Sequence, residues 1–159
     1  MSEMNEQMAE HIYESTKEIL DEREISYEAE QEEDTGDYTV VFNYRGEDMN
    51  HRMVIRAMGR RGMLTFSEAL YFEVDKKNLP KLIDACNRIN TVLMLGTFYY
   101  DGEDSVRFYN PLLFSNSSVS KETVDELMLR SISIIEEYDD KLLAVNKGYL
   151  DPEKVISED

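Results

Sequence analysis

Hydrophobic and polar positions along this chain follow two rhythms, and the switch between them is clearest from Leu79 to Tyr109. Leu79, Leu82, Ile83, Cys86, Ile89, Asn90 and Leu93 recur at steps of three and four, the spacing of a helix with one buried face. The period then changes. Leu95 to Tyr100 and Ser105 to Leu113 read as two β-rich runs around the polar turn Asp101-Gly102-Glu103-Asp104, which supplies the glycine that tight hairpins need. A buried helix therefore runs into a hairpin whose strands join the sheet it packs on.

Upstream, residues 4–24 predict a first helix, with Met8, Ile12, Ile19 and Leu20 as a thin apolar stripe edged by Ala9 and Tyr13. Glu10, Glu14 and Glu18 repeat at i,i+4, and each such pair repels unless a base answers it. Lys17 and Arg23 answer in part, so this helix is expected to dock on the basic middle of the chain or on a partner. Residues 28–37, EAEQEEDTGD, are too acidic for core and read as a loop with at most a frayed short strand. Three strand-like runs follow, Tyr38 to Tyr44, His51 to Met58 and Met63 to Val74, joined by the turns Arg45-Gly46-Glu47-Asp48 and Gly59-Arg60-Arg61-Gly62. Short turns between successive strands predict an antiparallel meander.

Asn78 stands where an N-cap would precede the central helix, with Pro80 just inside it. A last helix opens after Ser120, carries Val124, Leu127, Met128, Ser131, Ile135, Tyr138 and Leu142 on one stripe, and stops at Gly148. The order is α-βββ-α-ββ-α. That is one α+β domain over residues 1–148, with an antiparallel sheet of about five strands, and 149–159 as a mobile acidic tail.

Charge changes the picture. Thirty-four acidic and seventeen basic residues give a formal net charge of −17, unevenly placed. Residues 1–37 hold fourteen acids and two bases, 38–100 six and nine, and 101–159 fourteen and six, which gives −12, +3 and −8. Such an excess repels nucleic-acid phosphates and anionic membranes, so neither is an expected partner. With one cysteine, Cys86, no internal disulfide forms. The N-terminal residues lack the basic and apolar regions of a signal peptide, and no window is long and apolar enough for a membrane span. The expected location is the cytoplasm.

Candidate chemistry is sparse. His11 and His51 are the only histidines, and neither has metal-ligand spacing. The Asp101 to Asp104 turn gathers three carboxylates without the spacing of a calcium loop, and reads as a solvated hairpin turn. Cys86 lies on a buried stripe, where a thiol acts as a small hydrophobe rather than a nucleophile. Gly59 to Gly62 is no phosphate-binding loop, but Arg60 and Arg61 join Arg52 and Arg56 in a basic patch. That patch pairs with the chain's own acids or a dimer mate, or else docks an acidic peptide or small anion. Tyr99, Tyr100 and Tyr109 cluster on the hairpin, where aromatics beside flexible Met can make a peptide-binding surface as well as core. No constellation of acid, base and nucleophile is visible, so no enzyme, cofactor or metal is expected.

Three features carry a resemblance: Asn87-Arg88-Ile89-Asn90 ending the central helix, Leu95-Gly96-Thr97-Phe98 leading to Asp101-Gly102 and the strand Ser105 to Asn110, and the long helix Val124 to Val145 after a serine-rich loop. Over roughly residues 8 to 145 the chain resembles the YbjN domain family of bacterial sensory-transduction regulators, itself similar in fold to the dimeric type III secretion chaperones. The resemblance implies a bacterial protein that binds other proteins and has no established chemistry. The expectation is therefore a cytoplasmic, non-enzymatic, chaperone-like or regulatory module, homodimeric, that binds another protein or peptide. The alternative is a sensor with a small-ligand pocket between the sheet and the central helix.

Overall fold

The computed structural model describes residues 3–156. The elements are α1 (Glu3–Glu22), β1 (Tyr27–Gln31), β2 (Tyr38–Arg45), β3 (Asn50–Met58), β4 (Met63–Ala69), α2 (Leu79–Val92), β5 (Thr97–Tyr100), β6 (Val106–Leu113) and α3 (Lys121–Asn146). They build an α+β fold around one antiparallel sheet of order β1-β2-β3-β4-β6-β5. Because β6 returns from the hairpin to pair with β4, the hairpin's first strand, β5, is left at one edge.

The sheet has six strands, not five. The extra one is β1, which lies in the acidic segment read as a loop and pairs with β2 from Tyr27↔Phe42 to Gln31↔Tyr38. Its alternation explains it: Tyr27 and Ala29 are half-buried under α1, while Glu28 and Glu30 point to solvent. The strand expected to run to Val74 ends at Ala69 instead, where its neighbour β6 gives out. Beyond that point the chain keeps only single contacts, Leu70 N–H to Val106 C=O at 2.8 Å and Val74 N–H to Asp104 C=O at 2.7 Å.

All three helices lie on one face. Tyr13 of α1 stacks on Tyr38 of β2, Tyr138 of α3 meets Phe98 of β5 edge-on, and Ser131 of α3 accepts from Asn110 of β6. Between the layers Phe42, Phe66, Phe98, Phe108 and Phe114 are fully buried. Removing a side chain of that size from water contributes about 2–3 kcal/mol each, and so most of the fold's stability resides on this side of the sheet. As expected, α1 docks on the middle of the chain, packing on β2 and β3. Its acids are answered elsewhere: Glu14 by Lys17 of the same helix at 3.1 Å, and Glu18 and Glu22 by Lys121 of α3, whose Nζ lies 3.3 Å and 2.5 Å away. Just past α1, Arg23 makes a two-point pair with Asp125 of α3.

Capping follows the sequence at α3, where the Ser120 hydroxyl accepts from Thr123 N–H at 3.1 Å. It differs at α2. Asp75 caps a short 3-10 turn, Lys76–Asn78, and Asn78 makes no side-chain cap but donates to Asn146 C=O. The segment expected as a mobile tail is docked as far as residue 156. Gly148 reverses the chain in the left-handed region (φ +80°), Pro152 and Val155 are buried, and the turn Pro152–Lys154 packs on α2. The apolar residues of YLDPEKVI are what hold it. Residues 157–159 lie outside the described residues.

Candidate functional site

The face of the sheet opposite the helices is built by alternation. In β3, His51, Met53, Ile55 and Ala57 point inward, so Arg52, Val54, Arg56 and Met58 point outward. Register then places Arg56 beside Thr65, and Arg107 beside Tyr99. It also aligns Ser67, Tyr109 and Thr97 in one row across three strands. No described helix covers this face. Arg56, Arg61, Arg107, Tyr99 and Tyr109 line a shallow depression of about 410 Å3, floored by Met58, Thr65 and Ser67 and bordered by Thr35 and Asp37.

Four of the seven residues expected from sequence meet here: Arg56, Arg61, Tyr99 and Tyr109. Arg52 shares the face but lines a separate groove of about 280 Å3 with Tyr27, Glu28 and Asn43. Arg60 is exposed in the β3–β4 turn. Tyr100 turns to the other side of β5, where Lys76 caps its ring and bonds its hydroxyl. Arg107 was not anticipated, although the alternation of Val106, Phe108 and Asn110 inward puts it beside Tyr109 on the outer face.

Charge on this face is partly balanced from within. Arg56 pairs with Glu32 at 3.0 Å and lies 3.8 Å from Asp37, and its Nε is buried with no acceptor among the described residues. The Thr35 hydroxyl, and then the Arg56 guanidinium, hold the Glu32 carboxyl below its ordinary range. Arg107 pairs with Asp101 at 3.2 Å. The backbone N–H groups of Glu103 and Ser105, with Arg107 behind them, draw Asp101 down to about 2. The hairpin turn is thus closed on Asp101, which accepts from three backbone amides in an Asx-type turn.

The two edges of the sheet differ. At the β5 edge Asn90 of α2 donates to Phe98 C=O and accepts from Phe98 N–H, both at 2.9 Å, so a side-chain amide stands in for a neighbouring strand. The other edge, β1, has a partner on one side only.

A second polar feature lies on the helix side and was not anticipated. His51 is buried between Glu68 of β4, 2.5 Å from Nδ1, and Asp139 of α3, 2.9 Å from Nε2. Tyr44 stacks on the imidazole and donates to Glu68 at 2.9 Å. Burial works against the imidazolium, but the bonds to Asp139 and Glu68 and their charges outweigh it and lift His51 to about 9. Only its inward position on a strand, opposite Tyr44, signals this in the sequence. Asp139 also accepts from the Asp140 N–H, and Asp48, Asp139 and Asp140 bring one carboxylate oxygen each within 4.8 Å of one another. Cys86 is buried, and desolvation pushes its thiol up to about 12.

No helix among the described residues is long and apolar enough to cross a membrane. No curated protein sequence matches the chain. Among solved structures, it is similar to a crystal structure of YbjN, "a putative transcription regulator from E. coli", with a TM-score of 0.55 and 14% identity over 80% of this chain and 91% of that one. At that identity the likeness shows the fold. The family model described as "Putative bacterial sensory transduction regulator" matches residues 14–144, from α1 through the sheet and nearly to the end of α3. With the match covering the sheet, its helical cover and the uncovered face alike, the chain belongs to the YbjN family.

Proposed function

We propose that this protein is a non-enzymatic regulatory module of the bacterial cytoplasm that works by binding another protein, on the sheet face its helices leave open. The observation that carries this reading is that face itself. Three strands, β3, β5 and β6, and the β3–β4 turn present Tyr99, Tyr109, Arg56, Arg61 and Arg107 over a shared depression, and tyrosine and arginine are among the residues most enriched at binding hot spots. The family's description as regulators fits such a role.

A second copy of the chain has a different place to pair. Met94 is 97% exposed and Val92 51%, beside a groove of about 410 Å3 between the end of α2 and α3. Apolar side chains so exposed favour burial in a homodimer. The test is native mass spectrometry of the protein recovered from its host, beside Tyr99→Ala/Tyr109→Ala and Met94→Glu variants. One stoichiometric polypeptide should be lost with the tyrosine variant, and the dimer with Met94→Glu. Equal recovery of that polypeptide by wild type and the tyrosine variant would overturn the use of this face.

A ligand-responsive sensor is the second reading. A groove of about 360 Å3 lies between α2 and β5, lined by Ile83, Asn87, Asn90, Thr97 and Tyr99. A small-molecule mass retained by the wild type and lost on Ile83→Trp would favour it.

A further inference from the structure

We infer that the free edge of β1 takes an extended, basic segment of a partner protein as a seventh strand; this rests on the protein-binding reading and adds to the open face a second surface and the partner's chemistry. The phase of the ladder identifies the groups on offer. Glu32 N–H donates to Asp37 C=O at 2.8 Å, so in the alternating antiparallel pattern Glu28, Glu30 and Glu32 spend their backbone groups on β2. Those of Tyr27, Ala29 and Gln31 then point away from the sheet.

The opposite edge shows what sealing looks like in this fold. By the same alternation, counted from the Asp101 N–H to Ser105 C=O bond, Phe98 faces outward from β5, and Asn90 occupies both its backbone groups. β1 has no such cover among the described residues, and an unpaired edge is a template for another strand.

Charge selects the occupant. Glu28 and Glu30 line the edge on the open face, with Glu33 following, while Glu32 between them and Glu33 is already paired with Arg56. On the helix side Asp21 stands at the Tyr27 hydroxyl, and Glu10 and Glu14 near Tyr38. Lys17, the base among them, is already paired with Glu14 at 3.1 Å. A second copy is a poor fit: antiparallel pairing of two β1 strands about Ala29 sets Glu28 directly across from Glu30, and like charges directly opposite destabilise a sheet. Lysine or arginine at alternate positions of an incoming strand would instead meet those carboxylates.

The test uses the full chain and a fluorescent peptide of about ten residues alternating Lys with Val and Thr, read by anisotropy. Binding is expected, weakening at least tenfold when Glu28→Lys/Glu30→Lys is introduced and falling with added salt. Ala29→Pro removes one outward N–H, a substitution edge strands tolerate, and should weaken binding at least tenfold with native melting retained. An acidic peptide of the same length that binds equally well, or binding unchanged in the glutamate variant, overturns the proposal. A host polypeptide still captured by both edge variants but lost with Tyr99→Ala/Tyr109→Ala would reject the edge and leave the protein-binding reading standing.

Discussion

His51 and Asp139, 88 positions apart in sequence, meet inside the protein with Nε2 2.9 Å from Oδ2. The other ring nitrogen faces Glu68, so both nitrogens have an oxygen to donate to, and a ring that donates twice carries a proton on each nitrogen. Together with the Tyr44 hydroxyl these groups tie β2, β3 and β4 to α3 through one buried network. Stability must therefore depend on pH.

His51 is lifted to about 9 from the 6.5 of a free imidazole. A folded value above the unfolded one means the contribution is fully present below the unfolded pKa and lost as pH rises through the folded one. Glu68 is raised too, by burial above all, which gives the same sign at lower pH. Unfolding free energy should fall between about pH 6.5 and 9, by on the order of 3 kcal/mol if the whole shift is expressed. Chemical melts across that window are best made in a Cys86→Ala background, because the raised thiol adds a loss of the same sign at higher pH. A flat profile, or one that rises with pH, would contradict the imidazolium assignment.

Removing the histidine alone should be far worse than removing the network. His51→Ala leaves Glu68 and Asp139 buried without their shared cation, and uncompensated buried charge costs roughly 3–5 kcal/mol. Replacing His51, Glu68 and Asp139 together by Leu, Met and Leu should recover most of that loss, since a well-packed apolar set often matches a buried ion network. Urea midpoints of the two variants compare them directly. Equal destabilisation would mean that packing, not charge, governs the site.

Asn90 gives a prediction with two readouts. Asn90→Ala deletes both hydrogen bonds to Phe98 and should cost about 1–2 kcal/mol. It also bares the β5 edge, so light scattering should reveal concentration-dependent association that the wild type lacks. A loss of stability without association would show that α2 itself, rather than this amide, shields the edge.

Much of this was legible in the chain, and the misses share a cause. Periodicity placed the core helix from Leu79 and the hairpin around Gly102 because each buries one face locally. The β1 strand was obscured by acidity: Tyr-Glu-Ala-Glu-Gln alternates, but an edge strand needs little apolar content, and six acids in the ten residues 28–37 masked the rhythm. Tail residues 149–156 dock through two buried side chains, too few to register as a pattern. For the candidate face, clustering along the chain picked out Arg56 in the basic patch and Tyr99 and Tyr109 on the hairpin. Alternation puts Tyr100, adjacent to Tyr99, on the other side and Arg107 on the outer face beside Tyr109, and register sets Arg107 against Tyr99 across the hairpin. His51 meets Asp139 through tertiary packing across 88 positions, and no local spacing reports that.

Two glycines separate backbone strain from steric exclusion. Gly96 and Gly102 both sit at positive φ, +78° and +87°. A Cβ at Gly102 would meet nothing within 4 Å, so Gly102→Ala should cost only the conformational penalty, about 1 kcal/mol. A Cβ at Gly96 would lie 2.4 Å from Cζ of Phe108, a ring that is fully buried and packed 5.1 Å from Phe98. That ring has nowhere to retreat without displacing the core under β5. Gly96→Ala should therefore cost roughly 3 kcal/mol or more, strain and overpacking together. Thermal melts of the two variants test the difference. Equal shifts would mean that Phe108 repacks freely, and that Gly96 is required by its backbone angle alone.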